Sequence, residues 1–145
     1  MQLTQEAIDL LNKVKAYILE EPKRFNMNWW GKRKGHICDP DGDSIPPCGT
    51  VCCIAGTMYL LSHQENLKDI SDSQFYDRML FDAEAYASDI LETSVNNMHP
   101  LFYIENWPEE FRIPYLNSYD LKEKAKITCE RIDYYINVER GSDES

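Results

Sequence analysis

The chain has 145 residues, a net charge of −10, and 43% hydrophobic and 12% aromatic residues. That composition excludes a disordered polymer and fits one domain able to bury about two thirds of the surface its unfolded form exposes. A pI near 4.7 argues against general nucleic-acid binding, which rests on neutralising phosphates with Lys and Arg.

Taken in chain order, Thr4 can cap a first helix whose apolar positions Ala7, Leu11, Val14 and Ile18 recur at spacings of four, three and four. Glu21-Pro22 ends it, because the residue before proline avoids helical dihedrals. Residues 22–47 carry four prolines and three glycines and read as irregular. A second helix is expected from Thr50 to about Ser62, apolar on nearly every side and therefore a buried central element. After a polar connection over 63–72, Ser73 opens a segment with Phe75, Met79, Ala83, Tyr86, Ala87, Ile90 and Leu91 at helical spacing, with a break expected near Leu80-Phe81-Asp82. Leu101-Phe102-Tyr103-Ile104 reads either as a short strand or as a turn that packs aromatics inward. Pro108, Glu109 and Glu110 start a further helix that Pro114 should interrupt. The last helix begins at Asp120, with Glu123 placed for a capping box and a stripe of Leu121, Ala125, Thr128, Ile132 and Tyr135.

The expected fold is all-α: a compact single-domain bundle of four to five helices around a buried helix at about 50–62, with aromatic-rich loops. Residues 1–140 form the domain and 141–145 a polar, frayed tail. The longest apolar run, 51–61, is about half the length of a bilayer span. Residues 1–6 lack the features of a secretory signal. A cytoplasmic protein with reduced thiols is therefore expected.

Three of the five cysteines fall within 48–53, behind Pro46-Pro47. Three roles compete for these thiols. Cys48 before a helix, or Cys52 in its first turn, could be a thiolate nucleophile of a hydrolase or transferase, with His99 or His36 as base. His36, Cys38, Cys48 and Cys52 could hold zinc as a small metal domain, although no Cys-x-x-Cys pair is present. The third role is core filling, since free cysteine is among the most buried residue types, and this reading carries most weight; no cofactor is then required. Asp39, Asp41 and Asp43 resemble the start of a calcium loop, but Ser44 and Thr50 stand where it needs glycine and a bidentate glutamate.

Charge is distributed unevenly. Residues 1–48 carry seven basic and seven acidic side chains, 49–112 three and eleven, and 113–145 five and seven. Two contact surfaces follow from this: the basic, indole-bearing stretch Trp29, Trp30, Lys32, Arg33 and Lys34, and the acidic middle with Asp82, Glu84 and Asp89. The functional expectation is a non-catalytic protein that binds a protein partner, with a basic surface on that partner suiting the acidic middle.

The Cys48-Gly49-Thr50 run with Cys52, Ala55 and Gly56, then Leu101, Phe102, Trp107 and Pro108, then Arg131 and Ile132, resembles a group of small bacterial and phage-type proteins with no established activity. The resemblance implies a shared architecture over most of the chain. A phage-borne inhibitor of a basic, nucleic-acid-binding host protein would suit the charge.

Overall fold

A threonine with extended dihedrals ahead of an amphipathic stretch is a helix start. In the computed structural model Thr4 caps α1 (Gln5–Glu20), its side chain accepting from the Ala7 N–H. The structure describes residues 3–22, 25, 27, 32–33, 50–51, 53–67, 70–93 and 99–140, with the backbone alone for 32–33, 50–51, 65–66, 72, 76 and 80. Two-residue strands β1 (Lys32–Arg33) and β2 (Thr50–Val51) then pair antiparallel, Lys32 opposite Val51 and Arg33 opposite Thr50.

α2 (Ile54–Ser62) starts four residues after Thr50, where the sequence suggested it would begin. Thr50 and Val51 are drawn into the strand pair, and Cys53 becomes the N-cap, its Sγ accepting from the Gly56 N–H at 3.4 Å. As bounded, α2 does not include Cys52, which was expected in its first turn; the placement of Cys48 and Cys52 lies outside the described residues. Every residue from Ile54 to Leu60 is buried, which makes α2 the dry central element expected. Each of its large apolar side chains contributes about 1.5 to 3 kcal/mol by leaving water.

A short α3 (Gln64–Leu67) occupies the polar connection. α4 (Asp72–Ile90) is continuous through residues 80–82, where a break was expected. Its cap is Ser71, in a reciprocal capping box with Gln74. At its other end Glu92 takes a left-handed φ of 57°. The Thr93 N–H then reaches Ser88 O at 2.8 Å and the Glu92 N–H reaches Asp89 O at 3.0 Å, a Schellman closure built without glycine.

Residues 101–104 resolve as the turn alternative, passing into a 3₁₀ turn at Ile104–Asn106. The Trp107 indole N–H donates to Leu101 O at 2.9 Å and fixes this turn in the core. α5 (Glu109–Asn117) runs through Pro114. Proline there removes one helical hydrogen bond, but Tyr115 beside it is buried against Phe25 and Trp107, and that packing carries the helix onward. α6 (Leu121–Tyr134) is capped by Asp120 and continues as a π-helical turn over Tyr135–Glu139. Of its expected stripe, Ala125, Thr128, Ile132 and Tyr135 are buried, whereas Leu121 is exposed.

The fold is all-α apart from the strand pair. α2 packs on α1 and α4, α1 packs on α6, α6 packs on α5, and β1 lies against α4. Lys15 of α1 forms an ion pair with Asp133 of α6, and the Cys129 thiol donates to Lys15 O at 3.8 Å. No helix among the described residues is long and apolar enough to cross a membrane.

Candidate functional site

Two places concentrate polar chemistry, and they differ in access to water. The first is a largely buried knot where the ends of α4 and α6 meet the 99–102 turn. The π-helical turn carries Glu139 back over α6, so that its carboxylate accepts from both terminal nitrogens of the fully buried Arg131, at 2.9 and 3.3 Å. Arg131 Nη2 also donates to Pro100 O at 2.7 Å, and the guanidinium lies about 6 Å from the rings of Phe111, Tyr134 and Tyr135. Arg140 covers the other side: its Nη1 donates to Leu91 O at 2.7 Å and to the Tyr135 hydroxyl at 2.9 Å.

His99 sits beside this knot, buried and stacked on Phe102 with ring centroids 3.9 Å apart. Its Nδ1 accepts from the Leu101 N–H at 3.1 Å, so its Nε2 carries the proton and donates to Thr93 Oγ1 at 3.0 Å. Thr93 in turn donates to Ser88 O at 3.3 Å. Burial, with the charges of Arg140 and Arg131 added, pushes this imidazole down to about 4. Both nitrogens are occupied in the neutral form and neither faces water. The arrangement suits an organiser of the turn, not a proton shuttle.

The thiols among the described residues are equally closed. Burial pushes Cys53 up to about 11, against the opposing hydrogen bond from Gly56. Burial also pushes Cys129 up to about 11, with the Lys15 charge opposing. Neither is a thiolate near neutrality. Among the described residues no cluster of three or more His, Cys, Asp or Glu side chains is placed to hold a metal. His36, Cys38, Cys48 and Cys52, and the aromatic and basic residues Trp29, Trp30 and Lys34, lie outside the described residues. Lys32 and Arg33 are located by their backbone on β1. His63 caps α2: its Nδ1–H donates to Tyr59 O at 3.0 Å.

The second place is the outer face of α4, where access is open. Asp77, Arg78, Phe81, Asp82, Ala85 and Asp89 are exposed there, and Glu92 follows at the helix end. Four carboxylates thus stand against one guanidinium, a local charge of −3. Phe81, 72% exposed, lies among them. Glu84 turns the other way; half-buried, it accepts from the Tyr103 hydroxyl at 2.8 Å. Burial and that carboxylate hold the Tyr103 phenol protonated well above its usual range.

Phe81 was not singled out by its sequence context, yet a helical projection finds it. The buried residues Phe75, Met79, Ala83 and Ala87 recur every four positions, and Phe81 lies two positions from Met79 and from Ala83, on the opposite side of the helix. Comparison of the chain with protein-family models, curated proteins and solved structures gives no match.

Proposed function

We infer that this chain is a non-catalytic, acidic binding protein of the cytoplasm that docks the outer face of α4 on a basic protein surface. The observation that carries the reading is Phe81, which presents most of an aromatic side chain to water in the middle of Asp77, Asp82, Asp89 and Glu92. Burying such a ring against a partner is worth about 1.5 to 3 kcal/mol. The surrounding carboxylates steer a basic surface toward it and repel acidic ones. The neutral, enclosed state of His99 supports binding over catalysis with that imidazole as the base. A phage-borne inhibitor of a nucleic-acid-binding host protein would use such a face in place of nucleic-acid phosphates.

The test is retention from a cell lysate on the immobilised protein, followed by a salt gradient. The bound partner is expected to be basic and to elute as salt rises from about 0.1 M to about 1 M, over which the screening length falls from about 10 Å to about 3 Å. Retention of acidic or neutral proteins, indifferent to salt, contradicts the reading.

A further inference from the structure

Of the seven large apolar side chains exposed among the described residues, four (Ile113, Leu116, Tyr119 and Leu121) fall within nine positions at the junction of α5 and α6. Tyr119 is 100% exposed, yet it is not on a loose segment. Ser118 before it is buried, donates its N–H to Tyr115 O at 3.3 Å, and accepts at Oγ from the Asp120 N–H at 3.1 Å. Asp120 after it caps α6 through the Lys122 N–H at 3.0 Å. Both neighbours are pinned, and the ring between them is held outward.

Beside that ring runs a groove of about 310 Å³ lined by Glu21 and Pro22 from the end of α1 and by Tyr119, Asp120, Leu121 and Lys122. The ring and a groove bordered by Pro22 and Leu121 therefore sit side by side on the same surface. So do an acid, Glu21, and a base, Lys122. A surface carrying both halves of each match is self-complementary: a copy turned by 180° satisfies both at once. The charge map points the same way. The α4 face repels a second copy, whereas residues 118–126 carry three lysines against two acids and lie opposite the acidic end of α1.

We propose that this end of the molecule is a self-association surface. Two copies meet about a twofold axis, each Tyr119 ring lying in the other's groove over Pro22 and Leu121, with Lys122 of one copy facing Glu21 of the other. Tyrosine suits such a role because it brings a large contact area with few rotatable bonds to freeze. The resulting dimer carries two α4 faces on one body.

Sedimentation equilibrium of the full chain over about 5 to 300 µM tests this by mass action. The mass is expected to rise from 17.0 kDa toward twice that value. Tyr119→Ala should weaken association at least about tenfold, as expected for a central aromatic anchor. Glu21→Lys and Lys122→Glu should each weaken it, and the two together should restore it to within about threefold. Circular dichroism confirms that each variant is folded. A mass fixed at 17.0 kDa over the whole range overturns the proposal. So does a Tyr119→Ala chain that associates as tightly as the parent, or a charge-swapped pair that fails to recover.

Discussion

Arg131 and Glu139 stand eight positions apart on one continuous helical run, yet the carboxylate grips both terminal nitrogens of the guanidinium, at 2.9 and 3.3 Å. Eight residues of regular α-helix would separate their backbones by about 12 Å along the axis. The wider π-helical turn at Tyr135–Glu139 brings the carboxylate back over the preceding turns. Arg131 is fully buried, so this carboxylate, Pro100 O and three aromatic rings surround its charge, while its Nε–H has no partner among the described residues. Glu139→Gln keeps the shape and removes the countercharge. Breaking a fully buried pair costs about 3 to 5 kcal/mol. Because the Glu139 side chain is 26% exposed, water offsets part of that loss, and about 2 kcal/mol is expected in urea unfolding. Arg131→Met with Glu139→Gln should cost less than the sum of the single changes. A Glu139→Gln chain within about 0.5 kcal/mol of the parent contradicts the role given to this pair.

Stability should fall on acidification through His99. Unfolded, its imidazole protonates near the ordinary 6.5; folded, only at about 4. Above pH 6.5 both states are neutral and the contribution of the neutral ring is fully present. As pH falls from there toward 4 the unfolded chain takes up a proton that the folded chain refuses, and the contribution is lost, on the order of 3 kcal/mol at full extent. Urea midpoints measured across this interval should drop less steeply for His99→Gln than for the parent, after the background of titrating carboxylates common to both. Parallel profiles contradict the assignment.

Glu92→Gly should stabilise the protein. Its φ of 57° is a region that costs a residue with Cβ about 1 kcal/mol or more and glycine almost nothing. Glycine's greater freedom when unfolded offsets part of the gain, so about 0.5 to 1 kcal/mol is expected in urea unfolding. A destabilised variant would mean that the Glu92 side chain makes a contact outweighing the backbone term.

Cys53 and Cys129 should resist alkylation in the folded state. With each thiol pushed by burial from its ordinary 9.0 to about 11, the thiolate fraction at mildly alkaline pH falls about 100-fold, before steric protection is counted. Peptide mapping after brief iodoacetamide treatment should find both unmodified in folded protein and modified in urea. Rapid modification of either in the folded chain contradicts its enclosure.

Much of this architecture is legible in the residues. The periodicity of α1, the caps at Thr4 and Asp120, and the all-round apolarity of 54–60 are local signals, and the structure follows them. The departures have non-local causes. Thr50 and Val51 leave the helix because Lys32 and Arg33, far away in sequence, offer a strand to pair with. Pro114 fails to stop α5 because Tyr115 packs under it. Arg131 looks like a surface cation until Pro100 and Glu139 are brought to it. Glu92 ends α4 without the glycine that usually marks such a turn. The candidate site was half legible: Asp82 and Asp89 lie on the exposed face with Phe81, whereas Glu84 is tied inward by Tyr103.

The account turns on the α4 face as the working surface, and one comparison tests it most directly. The parent chain and a Phe81→Ser, Asp82→Lys, Asp89→Lys variant are immobilised side by side and exposed to the same lysate at low salt. All three side chains are exposed, so unfolding midpoints should agree to within about 1 kcal/mol, confirming that the fold is kept. The parent is expected to retain a basic partner and the variant to lose it. Equal retention of that partner by both chains contradicts the account.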